Sequence, residues 1–331
     1  MRVVEMSRFG GPEVLEIAEK LTPVPGRGQV LIKVLASGVN FADTLMRQDR
    51  YALTPALPLI PGNEVVGTVE VLGPGVAGLS LGARVAVPLF EGGGYSGGYA
   101  DYALASADLL VPVPEGLSAE AATALMIQGL TALHLERQVP VRNKTVLVNA
   151  AAGGVGSLLV QIAKRAGARL VIGAVGDDAK LDFAHSLGSD ATVNYTRPEW
   201  VLRTRELTAG VGPDVIFESA GGLVTTGSLA ALAALGCLVV YGALNIQAFQ
   251  LGVPELLGLI FKNQSVRGFA FLPLLTREQL RADLAHMFDL AVRGELRVVV
   301  GGAFSLERAR DAHRALEGRG TRGKLVLLPH G

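Results

Sequence analysis

The sequence predicts an α/β protein built around a doubly wound parallel sheet, and three observations carry that expectation. From residue 145 onward, short apolar strands alternate with helical patterns, with connections too long for hairpins; repeated βα units of this length build a parallel sheet. The first unit, Thr145-Val146-Leu147-Val148-Asn149-Ala150-Ala151-Ala152-Gly153-Gly154-Val155-Gly156-Ser157-Leu158-Leu159-Val160, reads as strand, tight turn, helix. Residues 1 to about 120 have a different texture: short strands closely spaced between Gly and Pro clusters, as in a compact barrel or sandwich-like domain.

In the first part the strand candidates are Val3–Met6, Val14–Ile17, Val30–Leu35, Val65–Leu72, Arg84–Pro88 and Tyr99–Ala103, separated by Phe9-Gly10-Gly11-Pro12, Pro23-Val24-Pro25-Gly26 and Gly73-Pro74-Gly75. Ala119–Leu125 and Leu130–Arg137 read as helices. The alternation follows: strands Thr145–Val148, Leu170–Ala174, Ala191–Val193, Asp214–Phe217, Leu238–Tyr241 and Ser265–Phe269, with helices Val155–Ala166, Ala179–Leu187, Glu199–Thr208 and Leu223–Leu235 between them. In the tail, Arg277–Arg293 is an amphipathic helix with Leu280, Leu284, Met287, Phe288 and Ala291 on one face. A strand (Leu296–Val300), a helix (Ser305–Leu316) and a last strand (Lys324–Leu328) fit a return of the chain to the first domain.

Composition sets the outer limits. A chain of 331 residues, half of them hydrophobic and 18% charged, is expected to form two domains with large buried surfaces. Zero formal net charge recruits neither nucleic acid nor an anionic membrane surface. The single cysteine, Cys237, excludes an intramolecular disulfide and a cysteine-rich zinc site; Leu238, Val239 and Val240 beside it suggest a small core residue. No charge occurs between Glu218 and Glu255, but glycines, Asn245, Gln247, Gln250 and Pro254 interrupt the stretch. It reads as a short helix near Leu229–Leu235, Gly236 and a buried strand, not as a membrane span. The N-terminus has no signal-peptide core, so a cytoplasmic protein is expected.

The turn at 150–156 has a chemical reading. A helix N-terminus aims unsatisfied N–H groups and a partial positive charge at the turn, where a pyrophosphate can sit. Gly153 lets the backbone approach, and Gly156 lets the helix pack on its strand; Ala151 stands where the G-x-G-x-x-G pattern has its first glycine. On its own the motif leaves two readings, dinucleotide binding or a tight turn without chemistry. In a doubly wound sheet, ligands bind beyond the carboxyl ends of the strands, which points to the turns at 150–156, 174–177, 218–222 and 242–245.

Five motifs in order go beyond the bare fold. They are Val39-Asn40-Phe41-Ala42-Asp43 with Arg47 and Tyr51; Pro61-Gly62-Asn63-Glu64-Val65-Val66-Gly67; Gln128-Gly129-Leu130-Thr131-Ala132; Ala151-Ala152-Gly153-Gly154-Val155-Gly156; and Thr321-Arg322-Gly323-Lys324-Leu325-Val326. Over essentially its whole length the chain resembles the zeta-crystallin-like quinone oxidoreductases, the zinc-free branch of the medium-chain dehydrogenase/reductase superfamily. The resemblance implies a GroES-like catalytic domain from both chain ends (residues 1–121 and 272–331) around a Rossmann dinucleotide-binding domain (residues 122–271). It implies a cleft between them, a nicotinamide cofactor and a homodimer joined edge to edge through Ser265–Phe269.

The resemblance also distributes roles. Zinc-dependent relatives carry a histidine ligand at the position of Asn63 and cysteines elsewhere. Here the position is an amide and the lone cysteine lies in the nucleotide domain, so no zinc is expected. His134, His185, His286, His313 and His330 are expected to be surface or helix-face residues. Without a Lewis acid, an electron-poor acceptor such as a quinone or enone takes hydride most readily. Asn40 and Tyr51 are implied near the nicotinamide, with Tyr51 donating a hydrogen bond or a proton to the acceptor oxygen, or else serving as a packing residue. Asn63 and Gln128 are further polar candidates, and Asp43 and Arg47 are expected to form a structural pair. Gln128 and Thr131 would hold the carboxamide, or cap a helix. Ala152, Gly153, Gly154, Val155 and Gly156 would line the pyrophosphate.

Cofactor choice turns on the end of the second Rossmann strand. An acid there would bind a ribose 2′-OH and repel a 2′-phosphate. Gly173-Ala174-Val175-Gly176 carries none and Gly176 leaves room, while Lys180 and Tyr195 match family positions at the 2′-phosphate, which favours NADPH over NADH. The departure is Asp177-Asp178, where the family often has hydroxyl residues; both acids also suit a helix first turn. Arg319, Ser219, Tyr241, Gly242, Ala243, Leu244, Phe269, Ala270, Phe271 and Lys324 match further cofactor contacts, with a core role as the alternative for Tyr241 and Phe269. The loop Gly92–Tyr99 is a cleft rim or a simple turn. The leading expectation is a zinc-independent NADPH-dependent quinone reductase. The alternatives are a reductase of enone or 2-enoyl thioester double bonds, with only Arg47, Arg50 and Lys262 as a loose basic entrance, and a non-catalytic NADPH-binding crystallin-like protein. With neither a basic nor an aromatic stripe, nucleic acid is not an expected partner.

Overall fold

The computed structural model describes residues 1–51, 56–92, 97–242, 244–245 and 248–331. Ala243, and Gly93, Gly94, Tyr95 and Ser96 of the glycine-rich loop, lie outside the described residues. The chain opens with an antiparallel pair, β1 (Arg2–Glu5) and β2 (Glu16–Glu19). The long β3 (Gln29–Val39) leads into the short helix α1 (Phe41–Arg47), and β4 (Val65–Leu72), β5 (Arg84–Val87), β6 (Tyr102–Ser106) and β7 (Val111–Pro112) complete the first stretch. Ser118 caps α2 (Ala119–Ala124), its hydroxyl accepting the Ala121 N–H at 3.1 Å. The helix then widens into a π-turn over Leu125–Gly129 before α3 (Leu130–Gln138).

Five βα units and a final strand follow: β8 (Thr145–Val148), α4 (Gly154–Arg165), β9 (Leu170–Val175), α5 (Leu181–Ser186), β10 (Ala191–Asn194), α6 (Trp200–Leu207), β11 (Val215–Glu218), α7 (Leu223–Ala231), β12 (Cys237–Val240), α8 (Val253–Lys262) and β13 (Ser265–Gly268). The chain ends with α9 (Arg277–Val292), β14 (Val300–Phe304), α10 (Ala309–Glu317) and β15 (Lys324–Leu327). These elements form two compact units, one from residues 1–130 and 275–331 and one from residues 131–274.

The second unit holds a six-stranded parallel sheet of order β10-β9-β8-β11-β12-β13. The chain direction through the sheet reverses between β8 and β11, which makes their carboxyl ends the switch point. β8 and β11 are buried throughout because helices cover both faces, which is why they read as unbroken apolar runs. Leu147, Ile172, Ile216 and Leu238 meet Trp200 and Leu229 in one core.

The first unit holds a sheet of order β14-β15-β3-β4-β5-β7, with β6 also paired to β3. Only β14 and β15 run parallel; the other pairs are antiparallel. One core lies between this sheet's strands (Val30, Ile32, Val69, Val85, Leu110), and a second joins Val4, Met46 and Tyr99 to Ala312 and Leu327 of the returning tail.

Several local expectations change. The helix expected to reach Leu235 stops at Ala231, because the Ala233 N–H turns to the Pro213 carbonyl at 3.0 Å and Leu235 adopts φ 63°. Cys237 is half-buried at the start of β12 and does not sit in the core. The strand expected at Leu296–Val300 begins at Val300, and the one expected at Tyr99 begins at Tyr102, after Ala100 makes a single bridge to Val3. α8 was not expected. Among the described residues no helix is long and apolar enough to cross a membrane.

Candidate active site

At the switch point, the backbone between β8 and α4 turns through Ala150 at φ 51°, and the Ala150 carbonyl accepts the Gly153 N–H at 2.8 Å. Gly153 is extended and directly precedes α4. A Cβ on Gly156 would overlap the Ala150 carbonyl, so the helix approaches its strand this closely only with glycine there. The first N–H groups of α4 have no intrahelical acceptor, and no acidic side chain sits in its first turn. Ala152 is buried, while Gly153, Gly154 and Val155 are partly open. A helix N-terminus of this kind is where phosphate groups bind in dinucleotide folds.

The neighbouring strand ends supply the other expected positions of this unit. Beyond β9, Gly176 is exposed, and the Tyr195 hydroxyl lies 2.9 Å from where a Gly176 Cβ would stand. Lys180 is 9% exposed. The Asp177 carboxylate accepts the Ala179 N–H at 3.0 Å, and Asp178 is held by Asn194 Nδ2 at 2.6 Å and by the Arg197 guanidinium. Beyond β11, Ser219 is mostly buried beside the Tyr241 phenol; a Gly242 Cβ would stand 2.6 Å from the Ser219 Cβ, and the Leu244 N–H reaches the Ser219 carbonyl. Beyond β13, Phe269 is half-buried, Ala270 exposed and Phe271 buried.

One group here was not anticipated. Glu218 is buried at the end of β11, where its carboxylate accepts the Gly221 N–H at 2.6 Å and the Thr225 hydroxyl at 3.3 Å and meets Asn149 Nδ2. Burial raises its pKa. Asn149 follows β8, so this contact ties the two strand ends at the switch point. The signal was available: an acid closing an apolar strand run, Val215-Ile216-Phe217-Glu218.

In the first unit, the expected residues join a buried polar cluster. Lys324 and Glu64 form an ion pair with both side chains fully buried. Lys324 Nζ also donates to Asn40 Oδ1 at 2.7 Å, while Asn40 Nδ2 donates to Glu64 Oε1 at 2.8 Å and Asn63 Oδ1 at 3.1 Å. The whole Asn40 amide is thus committed inside the protein. The other Glu64 oxygen accepts the Ile127 N–H of the π-turn at 2.8 Å. The adjacent residue, Gln128, has a buried Oε1 with no hydrogen-bond partner among the described residues, and Thr131, the first residue of the second unit, is 8% exposed. A Cβ on Gly38 would overlap the Glu64 carboxylate, so that glycine makes room for the buried charge.

A second chain of hydrogen bonds starts on the same loop. Asp43 Oδ2 accepts the Asn40 N–H at 2.8 Å and the Tyr99 hydroxyl at 3.3 Å. Tyr99 in turn lies 3.1 Å from His313 Nε2, and Arg47 Nη1 lies 3.2 Å from His313 Nδ1. Arginine can only donate, so Nδ1 accepts and Nε2 carries the proton toward Tyr99. Arg47 ends the chain at Glu317. Burial raises the Asp43 carboxyl to about 7, and burial together with the Arg47 charge lowers His313 to about 3.

Two expectations are corrected here. Asp43 and Arg47 do not pair directly; Tyr99 and His313 stand between them, because Arg47 reaches across to α10. His313 and His134 are buried, not surface residues, whereas His185, His286 and His330 are exposed. Tyr51 is 38% exposed, and Arg319 is exposed at φ 56°. No group of three or more His, Cys, Asp or Glu side chains among the described residues is arranged to hold a metal ion.

Comparison with known proteins places this architecture. Residues 26–115 match the alcohol dehydrogenase GroES-like domain, and residues 154–289 match the zinc-binding dehydrogenase family. The chain is 34% identical to a quinone oxidoreductase of Pseudomonas aeruginosa, over 98% of this chain and 99% of that protein. Among solved structures, the Escherichia coli quinone oxidoreductase complexed with NADPH is 32% identical with a TM-score of 0.90, covering 99% of this chain and all of that one. An NAD-dependent alcohol dehydrogenase is 33% identical with a TM-score of 0.87, covering 99% of both chains. The chain therefore belongs to the quinone oxidoreductases of the medium-chain dehydrogenase/reductase superfamily and is an oxidoreductase by that membership.

Proposed function

We propose that the chain is an NADPH-dependent, zinc-independent quinone reductase. The observation that carries the reading is the turn from Ala150 to Gly156, which leads into a helix N-terminus with free backbone N–H groups, with Gly176 and Lys180 after the next strand and Tyr195, after β10, packed at the Gly176 corner. Bound NADPH supplies a hydride, and the quinone takes that hydride and a proton to become a hydroquinone. Lys180 and Tyr195 hold the 2′-phosphate. The Gln128 Oε1, which has no partner among the described residues, suits a carboxamide N–H donor such as the one a nicotinamide carries. Tyr51 donates to the acceptor oxygen where negative charge develops. Asn40 and Asn63 act as positioning residues, since the Asn40 amide is engaged by Lys324, Glu64 and Asn63. An amide at position 63 and a lone cysteine that belongs to the other unit supply no thiolate or imidazole set for zinc, and a quinone is already electrophilic enough to accept hydride without one.

The test is cofactor oxidation with NADPH and NADH against a para-quinone, a simple enone and an enoyl thioester. Fastest turnover with NADPH and the quinone supports the reading. Turnover confined to the enone or thioester reassigns the enzyme to double-bond reduction, and NADPH binding with no turnover makes it a binding protein. Tyr51→Phe is expected to lower kcat about ten- to a hundredfold with cofactor affinity unchanged; an unchanged kcat reduces Tyr51 to packing.

The homodimer belongs to the same proposal. β13 is an edge strand of its sheet, and α8 before it buries no residue while exposing Val253, Leu256, Leu257, Ile260 and Phe261. An open strand edge beside an apolar helix suits a second copy of the chain. Ile260→Asp is expected to shift the mass measured by light scattering from dimer to monomer. A wild-type chain that is monomeric at micromolar concentration removes the dimer.

A further inference from the structure

We propose that Arg197 is a specificity-determining residue, which holds Asp178 away from the cofactor ribose and so preserves the preference for NADPH. The inference rests on the NADPH reading above. Two acids, Asp177 and Asp178, directly follow β9 and Gly176, the place where a carboxylate selects a ribose 2′-OH and repels a 2′-phosphate. Taken by residue type, they weigh toward NADH.

The structure commits both acids elsewhere. Asp177 turns back on its own segment, accepting the Ala179 N–H at 3.0 Å. Asp178 leans toward the loop after β10, where one carboxylate oxygen accepts Asn194 Nδ2 at 2.6 Å and the other meets Arg197. That loop is built to make the contact. Asn194 Oδ1 accepts both the backbone N–H and the hydroxyl of Thr196, at 2.9 and 2.8 Å, which leaves its Nδ2 aimed at Asp178. The Arg197 N–H closes the turn on the Asn194 carbonyl at 3.1 Å. Tyr195, at the Gly176 corner, lies between these two residues in sequence, so the segment that presents the phenol also carries the clamp. The Arg197 hydrogen bond, then that of Asn194, lowers the Asp178 pKa, so the acid is a carboxylate at neutral pH and its charge must be balanced. Arg197 supplies that balance.

The pair is solvent-exposed on both sides, with side-chain exposures of 58% and 46%, so its effect is a tuning of selectivity and not a switch. Titration calorimetry with NADP+, NAD+ and adenosine 2′,5′-bisphosphate reads it without turnover. Arg197→Gln is expected to weaken NADP+ and the bisphosphate by about three- to tenfold while leaving NAD+ unchanged or tighter. Asp178→Asn/Arg197→Gln is expected to restore both affinities, because the charge that needed balancing is gone. Equal weakening of NADP+ and NAD+, no change at all, or a double variant as weak as the single one overturns the inference; the last result means that Arg197 touches the phosphate itself. If the wild-type chain binds NAD+ tighter than NADP+, the cofactor reading fails and this inference with it. Wild-type preference for NADP+ with an indifferent Arg197→Gln defeats the inference alone.

Discussion

Lys324→Met is expected to destabilise the first unit by about 3–5 kcal/mol, because it strands the Glu64 carboxylate in the interior with its counter-charge removed. The loss has no route to relief by exposure. Gly38 closes on the carboxylate from one side, Asn40 and the Ile127 N–H engage it from others, and both partners of the ion pair are fully buried. The effect is best read as the opening free energy of β15 amides by hydrogen exchange, since the only tryptophan, Trp200, lies in the other unit. Glu64→Gln/Lys324→Met is expected to recover most of the loss, leaving about 1–2 kcal/mol, because a neutral pair carries no stranded charge. A loss below about 1 kcal/mol in the single variant is the signature of a solvated surface pair and contradicts the burial.

The same ion pair shows where reading a sequence stops. The alternation of strands and helices in the second unit and the helix on the glycine turn follow from period and spacing, because each depends on neighbours a few residues apart, whereas the edge position of Ser265–Gly268 is implied by the family resemblance alone. Glu64 and Lys324 are 260 residues apart, and neither looks unusual beside its own neighbours; only the return of the tail onto β3 brings them together. The burial of His313 is hidden in the sequence for the same reason. It sits on a helix that also carries the ion-paired Asp311 and Arg314, and its partners Tyr99 and Arg47 arrive from far along the chain. α8 escaped notice for a different cause. Its apolar residues face outward, so the stripe that marks a helix by its core-facing side meets no core, and only its first two residues, Val253 and Pro254, lie in the charge-free run that ends at Glu255. In the second unit the glycine turn stands out in the sequence, while Glu218, at the start of the charge-free stretch, gives no local sign of its contacts with Asn149 and Thr225; in the first unit Glu64 gives none of its pairing with Lys324.

His313 carries the other large expected effect, a change in the pH dependence of unfolding. Its pKa in the fold is about 3 against an ordinary value of 6.5, so between those values the unfolded chain binds a proton that the folded chain does not. Stability from this group is therefore complete above pH 6.5 and is lost as the pH falls toward 3, at a limiting slope of about 1.4 kcal/mol per pH unit. Asp43 acts with the opposite sign. Raised from 3.8 to about 7, it binds a proton in the fold that the unfolded chain releases, so its contribution is complete below pH 3.8 and is lost as the pH rises through about 7. The groups facing His313 are the Arg47 cation from α1, the Tyr99 hydroxyl, Asp43 beyond that hydroxyl and Glu317 beyond Arg47. None of them can welcome a second ring proton on Nδ1, because Arg47 already donates there. His313→Gln removes one titration and leaves the other. Calorimetric unfolding of wild type and variant is expected to give stabilities that converge as the pH falls below 6.5, with the variant alone showing the Asp43 slope between pH 4 and 7. A stability difference independent of pH would mean that the histidine titrates alike in both states, and the hydrogen-bond directions drawn from Arg47 through Tyr99 to Asp43 would then be wrong.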